Sequence, residues 1–484
     1  MVCCPCQDHL QVLAASPWYI SKYLSTFSKS VLIPKHRPHI NMHFQLLSLL
    51  PLALGSAVLP RESEVNYDGH QVYRVHAGGD DKNIFDKLAG LQYEEWGHRK
   101  AEFIDVSVPG GDADKLKHMG FNMKMMHGDL GKDIRKEKSW KKYKGKKGKK
   151  DDLPSDDWFD SYHAYEDHKA FVEDMHSAFP RNSEMVSTGT SYEGRDMFGL
   201  KLFGERRRWG GGWGRHEETK PAIVFHGTVH AREWITTMAL EYVTYNLISD
   251  YKSSGRKDKS DAKAILDNYD VYFFYVVNPD GFVYTQEVNR LWRKNRSPPP
   301  PDFFNQSCIG VDVNRNWPYM WSSDEEEGSS TDPCSLVYRG SAPGSTPENM
   351  GMTSFLDKVS AEQGIALYID WHSYGQYILS PWGFSCSQVA ENSMELVDLA
   401  AGTANEIASV YGTNFTYGPT CQTLYATNGV SLDYAYAVAN ATYSYAFELR
   451  DEGDFGFVLP PEQIRPTGEE MYEGITYMMA NLSD

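Results

Sequence analysis

Two side chains that bind metal ions, His230 and Glu233, stand three residues apart in His226-Gly-Thr-Val-His-Ala-Arg-Glu-Trp234. From a tight turn, an imidazole nitrogen and a carboxylate oxygen at that spacing can fold back onto one ion. Together they form a zinc ligand set, and a catalytic zinc takes three protein ligands and keeps one position open. Alone the pattern is weak, because two polar residues often simply begin a helix. It needs a third ligand and a base. His372, directly after the apolar run 365–371, supplies the ligand. A lone His there is usually structural, and His372 gains its meaning from the pair that lacks a partner. Glu448, in Ser444-Tyr-Ala-Phe-Glu-Leu-Arg450, supplies the base. An apolar setting raises the proton affinity of a carboxylate, which suits a general base. Arg450, on the same face, is expected as the structural partner of Glu448.

These residues need elements to hold them. Strands are expected over 221–225, 271–277, 365–371 and 443–449. Amphipathic helices are expected over 235–249, 347–362, 388–411 and 461–480. Short all-apolar strands between such helices predict an α/β fold whose sheet is covered on both faces. His230 and Glu233 then sit where a strand ends and a helix begins. Two basic motifs lie between the candidate ligands, Asn289-Arg-Leu-Trp-Arg-Lys-Asn-Arg296 and Val311-Asp-Val-Asn-Arg-Asn-Trp317. Arg binds a carboxylate through two parallel hydrogen bonds. A cleft with a metal, a base and spare arginines suits hydrolysis of an anionic substrate. Taken singly, Arg290 or Arg296 reads equally well as a surface ion pair. The stretch 206–215, rich in Arg, Gly and Trp, reads as a surface loop.

The chain has 484 residues, of which 41% are hydrophobic, enough for a sizeable core and more than one domain. Residues 1–150 carry 24 Lys+Arg against 16 Asp+Glu, so against a total of -17 the remainder is strongly acidic. An acidic main body argues against nucleic acid or an anionic membrane as partner. Residues 1–41 resemble neither domain nor leader and are read as a non-native extension. Met42 opens a better leader over 42–57, with an apolar stretch of about 11 residues, too short to span a bilayer. Four cysteines follow it, Cys308, Cys334, Cys386 and Cys421. Two disulfides are expected, in any of three pairings; 308–334 and 386–421 close the shortest loops. Asn295, Asn305, Asn414, Asn440 and Asn481 open glycosylation sequons. Residues 58–150 precede the main body, and within them about 65–130 read as a small α/β unit with strands near 70–75 and 102–108 and helices near 83–92 and 112–119. The segment ends in Trp140-Lys-Lys-Tyr-Lys-Gly-Lys-Lys-Gly-Lys-Lys150, read as a flexible, protease-accessible linker. The charge difference suggests that this unit docks partly by charge.

His230-Ala-Arg-Glu-Trp, Asn278-Pro-Asp-Gly, Asn289-Arg-Leu-Trp-Arg-Lys, Asp312-Val-Asn-Arg-Asn-Trp, His372-Ser-Tyr, Thr423-Leu-Tyr and Phe447-Glu-Leu-Arg-Asp together resemble the zinc metallocarboxypeptidases of the pancreatic carboxypeptidase A/B family. The motifs occur in family order from about residue 155 onward. The resemblance implies a mixed eight-stranded sheet flanked by helices over 151–484, after a ferredoxin-like activation propeptide over 58–150. It implies that His230, Glu233 and His372 bind one zinc ion, that Glu448 is general base and acid, and that Arg293 stabilises the oxyanion. Asn314, Arg315 and Tyr425 would hold the substrate's terminal carboxylate, and Arg232, Ser373 and Tyr374 would contact residues further back. Cys308 and Cys334 match the family's common disulfide. The expected protein is a secreted, extracellular, monomeric zymogen, cut by an activating protease, acting on peptide and protein C-termini.

A non-catalytic peptide-binding homologue would have the base replaced, and position 448 is Glu. An endopeptidase or amidase is disfavoured by Asn314 and Arg315, which would clamp a free C-terminus. In the family, the residue before the Asp-aromatic pair lies at the base of the pocket for the C-terminal side chain. In Asn428-Gly-Val-Ser-Leu-Asp-Tyr434 that residue is Leu432, with Leu424, Val430 and Ala446 as further apolar wall. This predicts an A-type preference for aromatic and aliphatic residues. A one-residue slip would put Asp433 in the pocket and give the B-type preference for Lys and Arg.

Overall fold

The apolar runs form the middle of a sheet because both of their faces are covered. The computed structural model describes residues 62–483, apart from 77–80, 97–102, 150, 206–207, 210–215, 218, 255–260 and 323–327. The expected extension over 1–41 and leader over 42–57 lie outside the described residues. Eight strands form the main sheet: β5 (Ser183–Thr190), β6 (Asp196–Leu202), β9 (Ala222–Gly227), β10 (Asp270–Phe274), β11 (Ile365–Ser373), β12 (Tyr377–Ser380), β13 (Thr416–Pro419) and β14 (Tyr443–Leu449). Their order is β13-β12-β14-β11-β9-β10-β6-β5. The central strands β14, β11, β9 and β10 are parallel, while β12 and β6 run antiparallel to their inner neighbours. Between β6 and β9, a small ribbon of β7 (Arg208–Trp209) and β8 (His216–Glu217) stands in the segment expected as a loop.

Side-chain alternation explains the continuous apolar runs. In β9, Ile223 and Phe225 join one core cluster and Ala222 and Val224 the other. In β10, Val271 and Phe273 oppose Tyr272 and Phe274 in the same way. The first cluster is closed by α4 (Tyr165–Ala178), α5 (Ile235–Ser253), α6 (Asp261–Asn268), α9 (Ser393–Tyr411) and α12 (Ile464–Ala480). The second is closed by α8 (Pro347–Gln363) and α11 (Ser431–Ala437). Local signals set the ends of α8. The Thr346 side chain accepts from the Asn349 N–H at 3.1 Å, Pro347 fills the first turn, and Gly364 stops the helix at φ +74°. The short α7 (Pro279–Glu287) and α10 (Thr420–Thr423) complete the main body.

Ahead of it, β1 (Gln71–His76), α1 (Asp81–Leu88), β2 (Glu94–Glu95), β3 (Phe103–Val108), α2 (Gly110–His118) and β4 (Met123–His127) form an antiparallel sheet of order β2-β3-β1-β4. This is the split β-α-β topology of ferredoxin-like units. The helix α3 (Leu130–Glu137) then carries the chain onto the main body. At its end Glu137 accepts two bonds from Arg290, at 2.6 and 2.7 Å, with both side chains about 1% exposed. Arg290 is therefore no surface ion pair. Around it Trp96, Leu130 and Ile134 pack on Leu291, Phe457 and Val458. The expected polarity of docking holds only for exposed pairs such as Lys136–Glu462. At the buried pair it is reversed, with the acid on the leading unit.

Other expectations change. Trp140 packs edge-on against Trp234 at 5.7 Å and Tyr143 against Trp158 at 5.1 Å. The Tyr143 and Lys146 N–H groups donate to Asp167 and Asp174. The Lys-rich segment is thus held along α4 by its aromatic residues, with Lys141, Lys142, Lys144, Lys147 and Lys149 exposed. Arg450 does not pair with Glu448. It turns to Glu470 on α12, with Gln463 at 2.6 Å from Nη1, because α12 offers a carboxylate outside the cleft. The expected helix over 388–411 begins at Ser393, and the expected strand over 271–277 leaves the ladder after Phe274, where the chain turns toward the Asn278 cap of α7. Cys308 is joined to Cys334 and Cys386 to Cys421, the two shortest loops.

Asn295 is fully buried, its amide donating to Glu348 at 2.9 Å, so its sequon has no room for a sugar. Asn414, Asn440 and Asn481 are exposed. Peptide mapping of protein from a glycosylating host should find Asn295 unmodified. A glycan on Asn295 would contradict this packing.

Candidate metal centre

In sheets of parallel strands, ligands bind beyond the carboxyl ends of the strands. Three strands deliver the candidate residues there. After β9 the chain turns sharply at Thr228, whose φ is +52°. A β-branched residue is strained in that region. It is held by buried bonds: the Thr228 N–H donates to Thr236 Oγ1 at 3.0 Å, and its own hydroxyl meets Thr236 Oγ1 at 2.9 Å. Gly227 permits the close approach, since a Cβ there would lie 2.9 Å from Leu240. The turn folds His230 and Glu233 together, with the Glu233 N–H donating to the His230 carbonyl at 3.1 Å. His372 lies one residue before the end of β11, and strand register sets Glu448 of β14 directly beside it.

One ligand atom from each of His230, Glu233 and His372 lies within 4.8 Å of the others, and all three residues are buried. His230 Nδ1 is 2.9 Å from Glu233 Oε1, His372 Nδ1 is 3.1 Å from Glu233 Oε2, and the two Nδ1 atoms are 3.0 Å apart. The outer nitrogens face carboxylates: His230 Nε2 to Asp312 at 3.2 Å, His372 Nε2 to Asp370 at 2.9 Å. The Asn314 amide Nδ2 also stands 3.0 Å from His372 Nε2. With Nε2 protonated toward its carboxylate, each ring would turn a lone pair on Nδ1 inward. Two lone pairs and a carboxylate converging in a buried space suit a small cation, and this nitrogen and oxygen set suits zinc. Burial raises the Glu233 carboxyl, but His230 and His372 outweigh it and hold it well below the usual range.

Among the buried polar atoms without a hydrogen-bond partner near this group are one each on Arg293 and Glu448. Arg293 donates Nε and Nη2 to Asp312 at 3.1 and 2.9 Å, while its buried Nη1 has no partner and stands 3.9 Å from Glu233. Glu448 Oε2 is also buried without a partner. Burial pushes the Glu448 carboxyl above its usual range; His372 opposes this most, and Glu233 adds to it. Arg293, Arg315, Tyr425 and Arg232 line one cleft of about 880 Å³, which Glu94 and Glu95 of the leading unit also border. Arg232 stacks on Phe457 at 3.9 Å. Asn314 is buried beside the cleft, its Oδ1 accepting the Ser431 N–H at 2.9 Å. Arg315 braces itself on the Gly328 and Asn314 carbonyls. Ser373 is buried and gives its N–H to Glu233 at 3.2 Å. The Tyr374 hydroxyl is held by the leading unit's Asp105 at 2.6 Å, in a cavity that Tyr377, Leu424 and Glu448 also line.

Leu432 packs in a buried apolar group with Leu379, Val430 and Ala446, bordered by Leu424 and Tyr377. Asp433 points elsewhere and accepts the Gly383 and Phe384 N–H groups at 3.0 and 3.1 Å. The sequence reading assigned no role to Asp312, Asp370 or Asp105. Asp370 carried a usable signal, because two residues before His372 on a strand means the same face. Asp105 carried none.

A family model described as zinc carboxypeptidase matches residues 168–474. The metallocarboxypeptidase A-like protein of Trichophyton verrucosum is 43% identical over 443 residues, covering 90% of this chain and 98% of that protein. Metallocarboxypeptidase A of Trichophyton rubrum is 40% identical over 439 residues, with the same coverage. Mouse carboxypeptidase A4 is 38% identical over 327 residues, covering 67% of this chain and 71% of that one. Among solved structures, thrombin activatable fibrinolysis inhibitor superposes with a TM-score of 0.73 at 25% identity, over 86% of this chain and 99% of the other. Carboxypeptidase A from Helicoverpa armigera gives 0.67 at 26% identity, over 86% and 98%. With the ligand set and the arginine-lined cleft in place, these likenesses make the chain a member of the zinc carboxypeptidase family, a metallocarboxypeptidase of the A-like kind.

Proposed function

We propose that this metallocarboxypeptidase is a secreted, monomeric zymogen that removes aromatic and aliphatic residues from peptide and protein C-termini. The observation that carries the reading is the pair of unpaired buried atoms, Arg293 Nη1 and Glu448 Oε2, beside the three converging ligand atoms. His230, Glu233 and His372 would hold zinc, which when bound supplies a Lewis acid for the scissile carbonyl and acidifies water. Glu448, whose burial raises its proton affinity, takes a proton from water as the carboxylate and returns it to the leaving amine. Arg293, steadied by Asp312, offers Nη1 to the charge that develops on the carbonyl oxygen. Asn314, Arg315 and Tyr425 hold the terminal carboxylate, and Arg232, Ser373 and Tyr374 the preceding residues.

Support for the preference comes from the apolar surroundings of Leu432 and the committed carboxylate of Asp433. Burying a Phe or Leu side chain there gains about 1.5–3 kcal/mol. An unpartnered Lys ammonium would lose several kcal/mol. Support for latency comes from Glu94 and Glu95 at the arginine cleft and from Asp105 on Tyr374. The exposed lysines between Trp140 and Asp152 offer sites to an activating protease, and the two disulfides fit an extracellular setting. No described helix is long and apolar enough to cross a membrane.

Glu448→Gln should retain zinc, measured by metal analysis, and lose turnover by about 10²–10⁴-fold, because an amide cannot take the proton. Near-parental turnover would overturn the role given to Glu448. On blocked dipeptides, C-terminal Phe should be released faster than Arg, and Leu432→Asp should shift the ratio toward Arg; the opposite order in the parent would establish the B-type reading. N-terminal sequencing of active protein should place the cut within residues 140–152. Full activity of the uncut chain would end the zymogen reading.

A further inference from the structure

Asp370 stands behind His372 with more support than a bystander needs. It lies in the middle of β11, fully buried, and the two-residue period of the strand puts Tyr368, Asp370 and His372 on one face. Its Oδ2 is 2.9 Å from His372 Nε2 and also accepts the Ser431 hydroxyl. Its Oδ1 faces His226 Nδ1 at 3.4 Å, because the β9–β11 register sets His226 directly opposite Asp370. His226 Nε2 in turn meets the Tyr368 hydroxyl. His226 Nδ1 and Asp370 Oδ1 make no hydrogen bond at that distance, so His226 borders the carboxylate without gripping it. On the other imidazole, Asp312 stands behind His230 and is steadied by Arg293. Each candidate zinc imidazole therefore has its own carboxylate, and each carboxylate its own holder.

Ser431 links this line to the candidate specificity pocket. It is the first residue of α11, it precedes Leu432, and its N–H is held by Asn314. We propose that Asp370, held by Ser431, is a positioning residue that sets the zinc affinity of His372 and ties that ligand to α11. The carboxylate keeps the His372 proton on Nε2 and raises the basicity of Nδ1, while Ser431 keeps the carboxylate turned toward the ring. The proposal rests on the reading of His372 as a zinc ligand.

The test measures zinc affinity of the full chain by competition with a chelator series, with apo-protein melting and circular dichroism alongside. Asp370→Asn keeps the shape and removes the charge, and should weaken zinc binding about 10–100-fold. Ser431→Ala, which alters no group in contact with the metal, should weaken it in the same direction by about threefold to tenfold. The two losses should add to less than their sum in the double variant, since both act through one carboxylate. His230→Ala is the control for the ligand reading itself. If it leaves zinc affinity unchanged, the ligand assignment fails. If it lowers affinity while Asp370→Asn and Ser431→Ala stay within about twofold of the parent, the ligand assignment stands and the positioning role is overturned. A lower melting point with unchanged zinc affinity is the signature of a merely structural Asp370 and also overturns it. Should Asp370→Asn fail to fold, the affinity of Ser431→Ala alone decides.

Discussion

Two imidazole nitrogens, the Nδ1 atoms of His230 and His372, face each other at 3.0 Å beside a carboxylate in a buried space. They come from distant parts of the chain, so the scaffold has to hold them there. The strained turn at Thr228, the threonine bonds around it, and the carboxylates of Asp312 and Asp370 all serve this arrangement. The parallel register of β9, β11 and β14 places the ends of three strands at one spot. The sheet is rigid because both faces are packed, and that rigidity is what lets sub-ångström geometry survive at its edge.

The leading unit is attached by the same physics used in the core. Its contact with the main body is apolar around Trp96 and Phe457, with one buried ion pair, Glu137–Arg290, inside it. Breaking one partner of such a pair costs about 3–5 kcal/mol, whereas an exposed pair such as Lys136–Glu462 contributes little. Net charge is thus a poor guide to this interface. Most of the unit's positive surplus sits on the Lys-rich segment, away from the acids that meet Arg290 and the arginine-lined cleft.

Much of this molecule can be read from its residues. The motifs around His230, His372 and Glu448 carry local information, because a ligand spacing or an apolar run depends only on neighbours in the chain. Short all-apolar runs marked the central strands, and the family resemblance singled out Leu432 rather than Asp433; Leu432 lies in an apolar group, while Asp433 turns to backbone N–H groups. The outer strands were missed: β12 and β13 have four residues each, β5 is largely uncovered, and Gly199 and Lys201 interrupt the apolar run of β6.

Contacts between residues far apart in the chain were beyond such reading. Arg450 was assigned to Glu448 on strand alternation alone, yet the carboxylate it meets comes from α12. Asn295 has a sequon but lies under α8, where Glu348 takes its amide. Arg290 looked like a surface residue until α3 delivered Glu137 to it across 153 positions. Residue type and spacing decide which chemistry is available, because ligand, base and apolar character belong to single side chains and short segments. Which carboxylate meets which base depends on how strands and helices from distant parts of the chain are brought together. Burial and partner choice are properties of that packing.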